Sequence, residues 1–285
     1  MAFIELDLRS GYLNSHEEVW MILPDEKPPK DGYPVLWLFH GAHQDCSEWV
    51  RNSSVERFAN ERGLAVIMPT MLHSYGMDMK YGADYFSMVT RELWPELHWM
   101  FPCLSQKKEK NFVAGASMGG YIAYKWALTC PEQFAKAGGF AGSIDIVSVL
   151  HKHIGKGKQD FGHYLENSFG SPETIEHTKD DLFWLAAKQQ KAGKLLPECW
   201  MVCGTEDFGY ELCKAACERL SGMGLDVTWL EDHGEHNFAI WDRYIEPFFD
   251  WLGLWKEVFG NGSAQSSVSI KASWIFHRSA DFNSD

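Results

Sequence analysis

A serine with a glycine two positions away on each side, Gly115-Ala116-Ser117-Met118-Gly119, lies between an apolar run, Phe112 to Ala114, and a stretch of helical spacing, Gly119 to Leu128. Strand, tight turn and helix in that order form the setting in which a serine can act as a nucleophile. The serine backbone is strained there, and side chains at the flanking positions would collide with the turn, so small residues are a steric requirement. Gly120 extends the set and suits close helix-to-strand contact. The turn lifts the Ser117 hydroxyl above the sheet edge and aims the first amides of the helix at it, so a developing oxyanion meets donors and a positive dipole end. A Gly-x-Ser-x-Gly match alone is weak in a chain with 25 glycines; its placement between strand and helix gives it weight.

A serine is a poor nucleophile at neutral pH unless a base takes its proton and a carboxylate holds that base in one tautomer. On a sheet of this kind the acid follows the serine along the chain and the histidine comes last. The apolar run Glu198 to Val202 leads into Cys203-Gly204-Thr205-Glu206-Asp207, which makes Asp207 the candidate acid, with Glu206 as its rival and a helix-capping role as the bland alternative. After Leu230 come Glu231-Asp232-His233-Gly234-Glu235-His236. His233 and His236 compete for the base. His236 is favoured because it follows a flexible glycine and directly precedes the closing helix. Of the two amides an oxyanion hole needs, one belongs to Met118; the other falls in the loop His40-Gly41-Ala42, where Ala42 is chosen and the His40 side chain is expected to brace the loop. Asp232, His233, Glu235 and His236 crowd together with His151 and His153 elsewhere, but no H-E-x-x-H helix or zinc-type spacing is present, so no metal is expected. The chemistry needs no cofactor.

The elements that must position these groups follow from the apolar pattern. Phe3 to Leu8 and Glu18 to Leu23 alternate and read as an antiparallel hairpin, followed by a Pro-rich loop over 24–34. Val35 to Phe39 and Leu64 to Met68 are continuous apolar runs, as central parallel strands covered on both faces must be. Helices are expected near Ser54 to Arg62, capped by Ser53 or Ser54, and over Tyr85 to Trp99. Further strands fall at Lys136 to Phe140, Glu198 to Val202 and Val227 to Leu230, and further helices at Asp181 to Ala192, Tyr210 to Leu220 and Ile240 to Trp251. The alternation predicts an α/β fold with a mostly parallel, doubly wound sheet. Residues 144–180 break the rhythm and read as a lid-like insertion over the carboxyl edge of the sheet, where ligands bind in such folds. The expectation is a single domain over 1–258, and a loose tail over 259–285 that begins with a Gly/Ser-rich stretch.

Composition narrows the partners. A net charge of −13 over 285 residues disfavours nucleic acid and anionic membrane surfaces, and no apolar run approaches the length of a membrane span. The amino terminus lacks the pattern of a secretory signal, and seven scattered cysteines fit reduced thiols, so a cytoplasmic protein is expected. A homo-oligomer is compatible with the sequence. Some of the 13 tryptophans, with Trp94, Trp99, Trp184 and Trp241 as candidates, could wall a pocket.

Taken together, His40-Gly41, Trp49, Gly63 to Pro69, Glu92-Leu93, Phe101-Pro102, Ala114 to Tyr121, Pro131, Cys203 to Asp207, Gly234-Glu235-His236 and Trp241-Asp242 resemble the esterase D-like α/β hydrolases, closest to the tributyrin esterase branch. The resemblance runs from about Phe3 to Leu252. It implies a cytosolic carboxylesterase acting on small-molecule, short-chain acyl esters through an acyl-enzyme, with a triad on Ser117, Asp207 and His236. It also favours His236 over His233, since the family's histidine follows a glycine and precedes an aromatic-rich helix. Two departures stand out: Asn237-Phe238 follows the histidine, and Ala42-His43-Gln44-Asp45 replaces a more glycine-rich loop. The alternatives are a thioesterase of the S-formylglutathione hydrolase type, an acyltransferase, or a non-catalytic binding module of the same fold.

Overall fold

The computed structural model describes residues 1–155 and 159–254; the expected tail over 259–285 lies outside them. An eight-stranded sheet runs in the order β1-β2-β4-β3-β5-β6-β7-β8. Its strands are β1 (Ala2–Ser10), β2 (Ser15–Leu23), β3 (Val35–Phe39), β4 (Ala65–Pro69), β5 (Asn111–Ala116), β6 (Lys136–Phe140), β7 (Glu198–Gly204) and β8 (Val227–Asp232). The first two form the expected antiparallel hairpin, longer at both ends, and β2 also meets β4 antiparallel; the other strands run parallel.

The helices are α1 (Glu48–Asn52), α2 (Val55–Glu61), α3 (Tyr85–Ser87), α4 (Trp94–Met100), α5 (Met118–Thr129), α6 (Ile146–His153), α7 (Gln159–Phe169), α8 (Leu182–Lys191), α9 (Tyr210–Gly222), α10 (Phe238–Arg243) and α11 (Ile245–Leu252). Between α3 and α4 the chain winds as a π-helix over Met88–Leu93, immediately ahead of Pro95, which has no N–H to continue the regular ladder. The expected closing helix is two helices: the Tyr244 N–H turns back to Ile240 and Trp241, and α11 starts afresh. Of the two expected caps, the Ser53 hydroxyl accepts the Val55 N–H at 3.3 Å, whereas the Ser54 hydroxyl caps nothing and its N–H donates to Asp242 Oδ1 at 2.5 Å, which ties α2 to α10.

Strand pleat divides the apolar runs between two cores. Val35, Trp37, Phe39, Ala65, Ile67 and Val113 face the layer built from α5, α8 and α9. Leu36, Leu38, Val66, Met68, Phe112 and Ala114 face the layer built from α1, α2 and α11. That is why these strands read as unbroken hydrophobic stretches rather than alternating ones. The sheet order reverses between β3 and β5, whose carboxyl ends lie side by side with Phe39 opposite Gly115. The crevice at such a switch point is where open α/β sheets bind ligands, and loops from five strands meet there.

The segment over 144–180 contains α6 and α7 and a short 3-10 turn at Pro172–Thr174. Asp181 caps α8 by accepting from the N–H groups of Phe183 and Trp184. The preceding residue, Asp180, forms a 2.8 Å ion pair with Lys125 of α5, and both side chains are largely withdrawn from water. Burial pulls the Lys125 ammonium below its ordinary range while Asp180 holds it up. The Tyr121 hydroxyl also donates to the Asp180 carbonyl, at 2.9 Å. The end of the insertion is thus fastened to the helix that carries the serine turn. Removing one member of a buried pair strands the other charge. Lys125→Met should therefore lower the unfolding free energy measured in urea by about 3 kcal/mol, and adding Asp180→Leu should restore most of that loss.

Candidate active site

Ser117 sits between β5 and α5 with φ 52° and ψ −113°, a conformation that L-residues seldom adopt. Three backbone hydrogen bonds hold it. Its N–H donates to Phe140 O at 2.9 Å, and its carbonyl accepts from Gly120 and Ser143, both at 3.0 Å. The glycine requirement is steric. A Cβ on Gly115 would lie 2.4 Å from the Gly119 carbonyl carbon, and one on Gly119 would lie 2.5 Å from Phe39 O. The first turn of α5 can rest on the ends of β3 and β5 only because both positions lack side chains.

Asp207 leaves the end of β7 with its carboxylate fully shielded from solvent. Oδ2 lies 2.6 Å from His236 Nδ1, and Oδ1 accepts the Gly209 N–H at 2.7 Å. The same carboxylate thus serves the imidazole and the turn into α9, whose cap residue is Gly209 and which has no side-chain cap bond. Receiving the Nδ1 proton fixes the tautomer of His236 and leaves Nε2 with its lone pair for the cavity that the ring lines. Phe208 covers the imidazole with ring centroids 4.5 Å apart, and Trp241 meets it edge-on at 5.1 Å. Among the described residues the hydrogen-bond chain does not extend to the Ser117 hydroxyl, a contact that in resting enzymes commonly closes only with substrate.

The two rivals from the sequence pair with each other. Glu206 lies 3.0 Å from His233 Nδ1 and accepts the Gly234 N–H at 2.6 Å, in the open: the His233 side chain is 92% exposed. His233 draws the Glu206 carboxyl down to about 2. Asp232 turns to Arg243 at 2.8 Å and His151 to Glu176 at 3.0 Å, so these groups do not converge. The loops bearing Asp207 and His236 touch at glycines. A Cβ on Gly204 would lie 1.9 Å from Gly234 O, and Gly234 itself has φ 158°.

Ser117 and His236 line one cavity of about 430 Å³, together with Gly41, Ala42, Val149, Lys152 and Trp241. That size is at the small end of ligand pockets. Of the four tryptophans considered as walls, Trp241 lines it. Trp94 stacks on Trp37 in the core, and Trp99 lies exposed on the surface. The wall from α6 and α7, including Lys152 and Phe161, belongs to the 144–180 insertion, whose reading as a lid or substrate wall names no residue in it. Gln44 takes the Gly41 N–H at 2.7 Å, a local contact within the loop, and lines the cavity; the sequence does not show which way its side chain turns.

Ala42 lines the same cavity as Ser117. Buried His40 donates from Nδ1 to Gly41 O at 2.7 Å and accepts the Met71 N–H on Nε2 at 2.8 Å. With the Gly41 carbonyl held toward His40, the Ala42 N–H across the same trans peptide points the opposite way. Met118 opens α5, so its N–H has no helical carbonyl to serve. Two amides are therefore available to an oxyanion.

An α/β-hydrolase is the class defined by this sheet, with its serine turn at the switch point and its antiparallel amino-terminal hairpin. Residues 10–220 match the Esterase family, to which the chain belongs. The fluorophosphonate-binding serine hydrolase F of Staphylococcus aureus superimposes with a TM-score of 0.80 at 31% identity, covering 88% of this chain and 98% of that one. The S-formylglutathione hydrolase of the same organism gives 0.78 at 31% identity, with the same coverage. An acetyl esterase of Caldicellulosiruptor saccharolyticus is 26% identical over 267 residues, which is 88% of this chain and 98% of that protein. The protein is a serine carboxylic ester hydrolase. No helix among the described residues is long and apolar enough to cross a membrane.

Burial pushes the His40 imidazole from its ordinary 6.5 down to about 4. A depressed value means that the unfolded chain binds the proton more readily. The stability this contributes is full above pH 6.5 and is lost as pH falls toward 4, by about 3 kcal/mol in all. Urea unfolding between pH 7 and pH 4.5 should show a shallower acid-side loss in His40→Gln than in the wild type.

Proposed function

We propose that the protein hydrolyses short-chain acyl esters with Ser117 as nucleophile, His236 as general base and Asp207 as the group that orients the imidazole. His236 takes the Ser117 proton as the oxygen attacks the ester carbonyl, and the Met118 and Ala42 amides receive the oxyanion. Collapse of the tetrahedral species expels the alcohol, which takes its proton from His236. Water, deprotonated by the same imidazole, then releases the acyl group and restores the serine. The observation that carries the reading is the buried 2.6 Å Asp207–His236 contact, opening onto the cavity that Ser117 also lines. Short chains are favoured by the small cavity, by the sequence likeness to the tributyrin esterases, and by the similarity to an acetyl esterase.

A second reading keeps the site and changes the leaving group to a thiol, and the likeness to an S-formylglutathione hydrolase supports it. A panel of acetyl, butyryl, octanoyl and glutathione thioester substrates separates the two. The proposal expects the highest kcat/KM on acetyl or butyryl esters and a steep fall at octanoyl; a preference for the glutathione thioester would transfer the assignment. Ser117→Ala should abolish fluorophosphonate labelling and lower turnover by at least about 10⁴-fold, and Asp207→Asn should lower it by a comparable factor. Undiminished turnover in Ser117→Ala would end the assignment.

A further inference from the structure

The second oxyanion donor has an anchor on each side, and only one lies in the core. On the amino-terminal side Gly41 is held by His40 and Gln44. On the carboxyl-terminal side His43 adopts φ 63°, a left-handed conformation that costs a non-glycine residue about 1 kcal/mol or more and persists only when its surroundings hold it. What holds it is His73, from the long loop after β4. His73 Nε2 lies 2.8 Å from His43 Nδ1 and accepts the His43 backbone N–H at 3.2 Å. With Nε2 accepting, the ring proton of His73 sits on Nδ1. Burial, and then the neighbouring His43, keep the His73 imidazole below its ordinary value, which preserves the acceptor.

His73 is in turn fixed by the insertion. Tyr164 of α7 stacks on its ring at 4.0 Å, with the planes 13° apart. Ser168, buried on the same helix, donates to the His73 carbonyl at 3.0 Å. Two further backbone hydrogen bonds, from Lys80 to Ser168 and from Tyr81 to Asn167, fasten the rest of the loop to α7. The connection runs without a gap from α7 through His73 to His43, the residue next to Ala42.

We infer that His73 is a positioning residue for the Ala42 amide, and that the insertion acts on catalysis by clamping the oxyanion loop through the Tyr164–His73–His43 chain of contacts. This rests on the reading of Ala42 as a transition-state donor. A donor that tilts away from the position of the oxyanion loses most of its worth, whereas ground-state substrate binding depends on the cavity walls, to which the clamp contributes His43 but neither His73 nor Tyr164, the two positions that the test changes.

The test compares His73→Ala, His73→Gln and Tyr164→Ala with the wild type on p-nitrophenyl butyrate, with thermal melts to check folding. His73→Ala should lose roughly 10- to 100-fold in kcat with KM within about twofold, and should weaken a trifluoromethyl ketone that forms an oxyanion at Ser117 by a similar factor. His73→Gln, whose amide oxygen can accept the His43 N–H, should recover much of the loss. Tyr164→Ala should fall between them, and supplies the readout if His73→Ala fails to fold. Unchanged kcat in both alanine variants, or a loss confined to KM, overturns the clamp. Ser117→Ala, run alongside, distinguishes the failures: activity persisting there removes the underlying reading, whereas loss there with unaffected His73 variants removes only the clamp.

Discussion

The first turn of α5 rests against the ends of two strands at a distance that leaves no room for a methyl group. Gly115 and Gly119 permit that approach, and Ser117 is forced by it into a left-handed backbone that costs about 1–3 kcal/mol. The cost is tolerated because neighbouring strand ends over-determine the turn: Phe140 takes the Ser117 N–H, and Ser143 donates to its carbonyl. The serine, the start of α5 and the ends of β3 and β5 are therefore held together as a frame, on which the rest of the cavity is assembled.

Two carboxylate–imidazole pairs drawn from the same two loops show how environment sets chemistry. Glu206–His233 is water-exposed, and its attraction is screened to little more than a surface ion pair. Asp207–His236 is identical in kind, but its carboxylate is sealed and also bonded by a backbone amide. In low dielectric the same contact orients a ring firmly and can stabilise a charge forming on it. Gly204 and Gly234 determine which pair turns inward, because the two loops cross there with no side chain between them.

Much of the architecture was legible because the central strands are buried on both faces and so read as short unbroken apolar runs: Val35 to Phe39 and Lys136 to Phe140 were bounded correctly from composition alone. The serine turn was legible for a different reason, since its glycines are compelled sterically. By contrast, α6 and α7 bury only one side against the sheet edge and carry irregular polar residues, so their periods were lost among histidines and lysines. The break between α10 and α11 at Tyr244 is marked only by Pro247 in the first turn of α11, which has no N–H to return to the Arg243 carbonyl. His73 acts through contacts distant in sequence, and nothing local marks it; Gln44 bonds Gly41 only three residues away, through a side-chain direction that the sequence does not show. Sequence order alone also could not separate Glu206 from Asp207; the choice needs the direction each side chain takes as β7 ends.

The wall over 144–180 looks like a removable accessory, yet it is bolted down in two places, by Asp180 to Lys125 of α5 and by Ser168 and Tyr164 to the loop bearing His73. Anyone transplanting this segment between relatives to exchange substrate preference would have to carry those fasteners with it, together with their sockets on the recipient. A chimera that matched only the cavity-facing side chains would acquire a new surface and lose the frame that aligns it.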